Sequence, residues 1–221
     1  GYRYKTLQNP QTSLHLSKPS TCNEGFYIRE AFFSDLGFVS QILADGFFSG
    51  RNIFSFQYEK IKTYLSLEAC FPKTHEKEEY KYFVACNVEN GEVLGFVELD
   101  CRPSNSDKAP PKPYMCNLAT HKHWKRRGIA KALVIECEKA VIDKKPTKRN
   151  IFLKVRKGNI PAVKMYENLG YKYENSSWEK QRDGDEETLI ILMKKVIETP
   201  LNSTEYDFLN SKSLSNTYIE R

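Results

Sequence analysis

The run Lys125-Arg126-Arg127-Gly128-Ile129-Ala130-Lys131 constrains the fold more than any other part of this chain. It joins a strand pattern to a helix pattern. Tyr114 to Thr120, ahead of it, is short, mostly apolar and preceded by prolines, as a buried strand would be. Behind it Ala130, Leu133, Val134, Cys137 and Val141 recur at helical spacing, so a helix starts inside the run. The first amides of a helix have no internal acceptors and sit at the positive end of its dipole, where an anion can replace those acceptors. Gly128 and Ala130 keep the backbone low enough for a bulky pyrophosphate to approach. Lys125, Arg126, Arg127 and Lys131 add charge that phosphates favour.

Composition narrows the setting of this loop. A chain of 221 residues with 40% hydrophobic and 28% charged residues fits one globular core with arms. Its longest apolar stretch, residues 189–193, falls far below the roughly 18 residues of a membrane span and reads as a central strand. The net charge of +6 suits anionic ligands, membrane surfaces and nucleic acid alike, so its clustering says more. Lys122 lies near Lys125, Arg126 and Arg127, and Lys154 lies near Arg156 and Lys157. Neither cluster accompanies an aromatic recognition motif, which argues against nucleic acid as the partner. The six cysteines, at 22, 70, 86, 101, 116 and 137, form no Cys-x-x-Cys pair and no pattern with histidine. A zinc site or disulfide scaffold is therefore not expected, no metal site is assigned, and a reducing compartment follows.

The hydropathy pattern orders the elements. Residues 1–25 are rich in Ser, Thr, Asn and Pro without periodicity and read as an arm, and polar residues 198–221 read as a tail. Between them a core domain spans 26–197. A strand at 26–32 precedes a helix with Leu36, Val39 and Leu43 on one face, and Tyr58, Ile61 and Leu65 suggest a second helix ending before Pro72. Strands at 80–88 and 93–101 flank Asn90-Gly91, a hairpin turn signal. A proline-rich loop over 102–113, the strand and helix around the basic run, and a strand at 151–155 follow. Asn159-Ile160-Pro161 has the chemistry of a helix start, and Gly170 that of its stop. Strands at 171–174 and 188–194 close the domain, with 180–187 read as a polar loop.

Two motifs in this order resemble the GNAT acyl-CoA N-acetyltransferases. The first is Leu118-Ala119-Thr120 followed by Lys125-Arg126-Arg127-Gly128-Ile129-Ala130; the second is Asn159-Ile160-Pro161-Ala162 followed by Tyr166-Glu167-Asn168-Leu169-Gly170-Tyr171. The wording Cys116-Asn117-Leu118-Ala119 is most similar to the plastid-type branch of plants and algae. The resemblance implies an α/β (α+β) GNAT fold: a mixed, mostly antiparallel sheet of about six to seven strands, splayed at the cofactor site and flanked by about four helices. It implies acetyl-CoA as cosubstrate and a protein or peptide amine as acceptor, on an N-terminus or a lysine, with small amines as the alternative. It also implies the plastid stroma, with the cytoplasm as the alternative; Gly1 in place of an initiator Met admits a removed targeting peptide, a cleaved expression tag or a trimmed chain alike.

Within that resemblance, Leu118, Ala119 and Thr120 receive the acetyl and pantetheine portion, and the basic run wraps the pyrophosphate. Lys125 stands where the family more often has Arg or Gln, which keeps the charge and loses the forked geometry. Asn159 is a cofactor contact, a plain helix cap, or both. Tyr166 matches a family tyrosine that protonates the departing thiolate, and as a side chain beside Met165 and Leu169 it also suits a buried helix face. A base for the acceptor amine is not obvious, since Asn117 and Lys154 occupy two family positions for it. Glu98, Asp100 and Tyr114 are the candidates, acting through water, and surface placement is the alternative for the carboxylates. His121 and His123 flank the basic turn as loop residues. A second reading keeps the fold as a catalytically weak or inactive module that joins a larger complex through its arms.

Overall fold

The computed structural model describes residues 21–23, 25–48, 50, 52–73, 79–103, 109–144, 150–183 and 186–197. The arm up to residue 20 and the tail from 198, with the complex partners assigned to them, lie outside the described residues. One eight-stranded sheet carries the chain. In chain order its elements are β1 (Thr21–Asn23), β2 (Phe26–Glu30), α1 (Leu36–Phe47), α2 (Ile53–Ala69), β3 (Tyr80–Asn87), β4 (Val93–Asp100), β5 (Tyr114–Thr120), α3 (Ile129–Lys144), β6 (Asn150–Arg156), α4 (Ile160–Asn168), β7 (Lys172–Asp183) and β8 (Glu186–Val196). The spatial order is β1-β2-β3-β4-β5-β6-β8-β7. All pairs are antiparallel except β5 with β6, which the α3 crossover makes parallel.

The expected mixed sheet and four helices are present, and two segments extend it. Thr21–Asn23, read as part of the arm, pairs with β2 at the sheet edge. Of residues 180–187, read as a polar loop, 180–183 and 186–187 instead continue the last two strands, with Lys180 opposite Leu189 and Gln181 opposite Thr188, while 184 and 185 lie outside the described residues. Backbone ladder bonds do not require apolar side chains, so a polar hairpin at an edge gives no hydropathy signal. The β3–β4 turn follows its sequence: Gly91 takes a φ of 73°, and Asn87 accepts a backbone bond from Gly91 at 2.9 Å.

Two cores lie on opposite sheet faces. One places Leu36, Val39 and Leu43 of α1 on Tyr82, Val84 and Phe96; the other places Ile129, Leu133 and Cys137 of α3 on Phe83, Val97 and Met115, with Tyr166 and Tyr171 alongside. Cys86, Cys101 and Cys137 are buried as free thiols, Cys116 is half-buried and Cys70 is exposed. No cluster of His, Cys, Asp and Glu suited to a metal ion occurs among the described residues. No helix among them is long and apolar enough to cross a membrane.

A Cβ added at Gly95 of β4 would lie 2.8 Å from Ile129 Cγ2, 3.1 Å from Leu133 Cδ1 and 3.2 Å from the Ala119 carbonyl oxygen. The missing side chain is what lets the first turn of α3 seat on the sheet. Gly95→Ala should therefore destabilise the fold by about 1–3 kcal/mol through overpacking, read as a lower urea midpoint at unchanged m-value.

Candidate active site at the opening between β5 and β6

The parallel pairing of β5 with β6 consists of two residue pairs, Tyr114 with Phe152 and Met115 with Leu153. Beyond Met115 the strands part, because β5 bends. Glu98 pairs with Cys116 and Phe96 with Ala119, so Val97 alone opposes Asn117 and Leu118 in a bulge. Asn117 takes a left-handed φ of 54°, a conformation that asparagine tolerates better than most residues. Among the described residues, the side of β5 facing β6 thus has no strand partner around Leu118, Ala119 and Thr120, the residues singled out from the sequence.

The basic loop lies directly after this open edge. His121 donates its backbone N–H to the Leu94 carbonyl at 2.8 Å, which ties the loop to β4 before the 3₁₀ turn Lys122–Trp124. Arg126 and Gly128 both have positive φ, 64° and 81°. Ala132 N–H bonds the Gly128 carbonyl at 2.9 Å, which makes Gly128 the cap of α3 and leaves the amides before Ala132 outside the helix ladder. Nothing lies within 4 Å of a Cβ built on Gly128, so the space over the loop is open to a ligand. Lys125, Arg126, Arg127 and Lys131 are exposed, Ile129 is buried as the anchor and Ala130 is half-buried. Arg127 stacks its guanidinium on the Trp124 ring at 4.5 Å. Trp124, a large aromatic just ahead of a basic run, was the overlooked signal. His121 and His123 lie with their rings 5.5 Å apart and remain loop residues.

Cross-strand register assembles the polar side chains. Tyr82, Glu98 and Cys116 form one row on the face under α1, and Tyr80, Asp100 and Tyr114 form the next. Glu98 accepts a close hydrogen bond from the Tyr80 hydroxyl on one oxygen and one from Asn117 Nδ2 at 2.7 Å on the other. Cys116 also hydrogen-bonds Glu98. Burial and then the negative charge of Glu98 push Tyr80, Tyr82 and Cys116 above their ordinary ranges, so all three stay neutral. Among the described residues the donors to Glu98 are all neutral.

Asp100 is different. Burial raises its carboxyl, but hydrogen bonds from Arg102 and Lys112 outweigh that and hold it below the usual range. It is a neutralised structural carboxylate, which removes it from the candidate bases. Tyr114 stands opposite Asp100, with the Lys112 ammonium 5.6 Å from its ring centre. The sequence missed the Tyr80, Asn117 and Cys116 partners of Glu98. For Tyr80 the available signal was the Asn90-Gly91 turn, which lets the β3–β4 register be counted, whereas no local signal set the bulged β4–β5 register that brings Asn117 and Cys116.

Asn159 accepts a hydrogen bond from the Ala162 amide at 3.4 Å and caps α4, with Pro161 in the first turn. The cap is long, and the residue is exposed. Tyr166 is buried on α4, edge-on to Tyr171 with ring centres 5.7 Å apart. Burial first, then Cys137 and Cys116, pushes its hydroxyl above the usual tyrosine range. Tyr166 belongs to the core under α3, whereas Glu98 lies on the face under α1. Cys116, the first residue beyond the β5–β6 pairing, is the electrostatic neighbour of both. The opening between the strands is thus where the two faces meet.

This geometry agrees with comparison to known proteins. The model of the acetyltransferase (GNAT) family matches residues 45–171. An N-alpha-acetyltransferase of Sulfurisphaera tokodaii is 30% identical over 103 residues, 44% of this chain and 60% of that protein, so the match spans less than two thirds of the relative's length. Arabidopsis thaliana NAA60, solved in complex with a bisubstrate analogue, is 20% identical over 79% of this chain and 99% of its own, with a TM-score of 0.56. The PaiA N-acetyltransferase of Thermoplasma acidophilum, in complex with coenzyme A, is 19% identical over 77% of this chain and 98% of its own, with a TM-score of 0.57. The two structures share the fold, and the family model spans more than half of the chain, including the bulged strand and the basic loop; the chain belongs to the acetyltransferase (GNAT) family.

Proposed function

We propose that this chain transfers the acetyl group of acetyl-CoA to a primary amine of a protein or peptide, a terminal α-amine ahead of a lysine. The observation that carries this reading is the open edge of β5 beyond Met115, set beside a helix cap with positive φ and four exposed cations. Extended pantetheine can add to that edge as a strand would. The pyrophosphate then meets the amides and charges of residues 125–131. Asn159 borders the same opening from α4 as a second polar contact for the pantetheine arm.

The reaction joins amine nitrogen to the thioester carbon and breaks the carbon–sulfur bond. Only a neutral amine attacks. A terminal α-amine with pKa near ~8 is partly neutral at physiological pH, whereas a lysine near ~10.4 is not, which favours the first acceptor. The name of the Sulfurisphaera tokodaii relative points the same way. Glu98 accepts the proton that the nitrogen loses, directly or through one water, because a carboxylate with three neutral donors, Tyr80, Asn117 and Cys116, keeps a further lone pair. Tyr166 faces the leaving sulfur from the other side of the opening. With its hydroxyl pushed above the ordinary range, it is a hydrogen-bond donor to the forming thiolate, and solvent supplies the final proton. Tyr114 orders the acceptor side. The plastid-like wording at Cys116-Asn117-Leu118-Ala119 makes the stroma the working compartment, and a tagged protein found only in the cytosol would contradict it.

A peptide library incubated with isotope-labelled acetyl-CoA, read by mass spectrometry, should give label on α-amines in excess of lysines. Absence of labelled peptide at every sequence would overturn the proposal. Glu98→Gln should lower kcat by ~10²-fold or more, with acetyl-CoA affinity unchanged. Gly128→Asp, which opposes pyrophosphate by bulk and charge, should weaken acetyl-CoA binding at least ~10-fold by calorimetry. The raised hydroxyl of Tyr166 remains protonated through the alkaline range, so it adds no descending limb to kcat/KM. The ratio of wild type to Tyr166→Phe should accordingly stay constant between about pH 6 and about pH 10.

A further inference from the structure

Tyr80 is aimed at Glu98 against its own register. Across the β3–β4 ladder Tyr80 stands opposite Asp100, and the residue opposite Glu98 is Tyr82. The Tyr80 hydroxyl nevertheless reaches diagonally to donate to Glu98 Oε1, and the Tyr82 hydroxyl oxygen lies 3.3 Å from it. A phenol has one hydrogen to give, so Tyr80, having given its own to the carboxylate, accepts from Tyr82. Two hydroxyls in series polarise each other toward the final acceptor. Burial first, then the charge of Glu98, keeps Tyr80 protonated, so it remains a donor.

The surroundings of Asp100 explain the diagonal reach. Its Oδ1 accepts from the Arg102 amide at 3.0 Å and from Arg102 Nε at 2.9 Å, and its Oδ2 accepts from Arg102 Nη2 at 3.1 Å and from the Lys112 ammonium. Four donors fill the roughly four lone-pair sites of a carboxylate, so Asp100 has none left for the phenol across the ladder. The guanidinium that occupies Asp100 also lies flat over Tyr80, 3.8 Å from its ring centre, while the Tyr82 ring meets Tyr80 edge-on with centres 5.3 Å apart. Its two-pronged grip on Asp100 fixes the plane that covers the ring. Glu98 has need of such a hold, because its Asn117 donor is an exposed residue of the β5 bulge, whereas Tyr80 is buried. We infer that Tyr80 and Arg102 are positioning residues for Glu98: Arg102, locked on Asp100, holds Tyr80 in the orientation that fixes the carboxylate and the lone pair it turns to the acceptor amine. This inference rests on Glu98 as the base.

Steady-state kinetics of the full chain, with acetyl-CoA and the peptide most strongly labelled in the library, test this. Tyr80→Phe should lower kcat ~10-fold, and Arg102→Ala about 3-fold or more, with the peptide KM and the calorimetric affinity for acetyl-CoA unchanged. The double variant should lose no more than Tyr80→Phe alone, because Arg102 acts through Tyr80. In a Glu98→Gln background, where no base is left to aim, adding Tyr80→Phe should change kcat by less than about 2-fold. A residue that only supports the fold would cost the same factor in both backgrounds, and that result overturns the inference. So does a Tyr80→Phe protein with the kcat of the wild type while Glu98→Gln is impaired, an outcome that leaves Glu98 as the base. A Glu98→Gln protein with the kcat of the wild type removes the base and, with it, this inference.

Discussion

The site depends on one incomplete interaction, the β5–β6 pairing that ends after Met115 and Leu153. Had the two strands paired along their length, the sheet would separate its faces completely, and a group under α1 could not act with a group under α3. Parting them costs backbone hydrogen bonds, which must be satisfied by water or by a ligand. The parting is built in twice. The Asn117 bulge turns β5, and β6 spends its other edge on β8 from Asn150 through Arg156, so β6 cannot follow.

An opened sheet needs fastening elsewhere, and α3 supplies it. Ile129 and Leu133 sit where Gly95 leaves room, and Glu138 on the same helix pairs with Lys195 of β8 at 2.7 Å. Breaking that buried pair would leave an uncompensated charge. The helix that presents its first amides to a ligand is thereby anchored to strands on both sides of the gap. Rigid anchoring matters because the loop binds through backbone groups, whose aim is set by where the helix starts and not by side-chain adjustment.

The elements legible in the sequence were those with local signals. Apolar spacing after Ile129, the Asn90-Gly91 turn and the Asn159-Ile160-Pro161 start each depend on neighbours in the chain, and α3, the β3–β4 hairpin and α4 follow them. The strand pairing of 180–183 with 186–189 escaped because ladder bonds carry no side-chain signature. The surroundings of Glu98 escaped for another reason. Tyr80 and Asn117 stand 18 and 19 residues away from it, and they meet only when two strand registers and a bulge are known together. Asp100, two residues further along the same face, looked equivalent in sequence; Lys112 and Arg102, brought by the loop between β4 and β5, make it a structural ion pair.

Placing the proposed base and the proposed thiolate donor on opposite faces has a chemical consequence. A short direct path between them would let Glu98 take a proton from Tyr166 instead of from the amine. The sheet prevents it: Tyr166 lies in the core under α3 with its hydroxyl pushed toward the protonated form, while Glu98 is held by Tyr80 and Asn117 on the other side. In the proposed reaction a substrate lying in the opening reaches both, its amine from one face and its sulfur from the other. The two groups then act on different atoms of one tetrahedral centre, and the free enzyme has no internal proton transfer to undo.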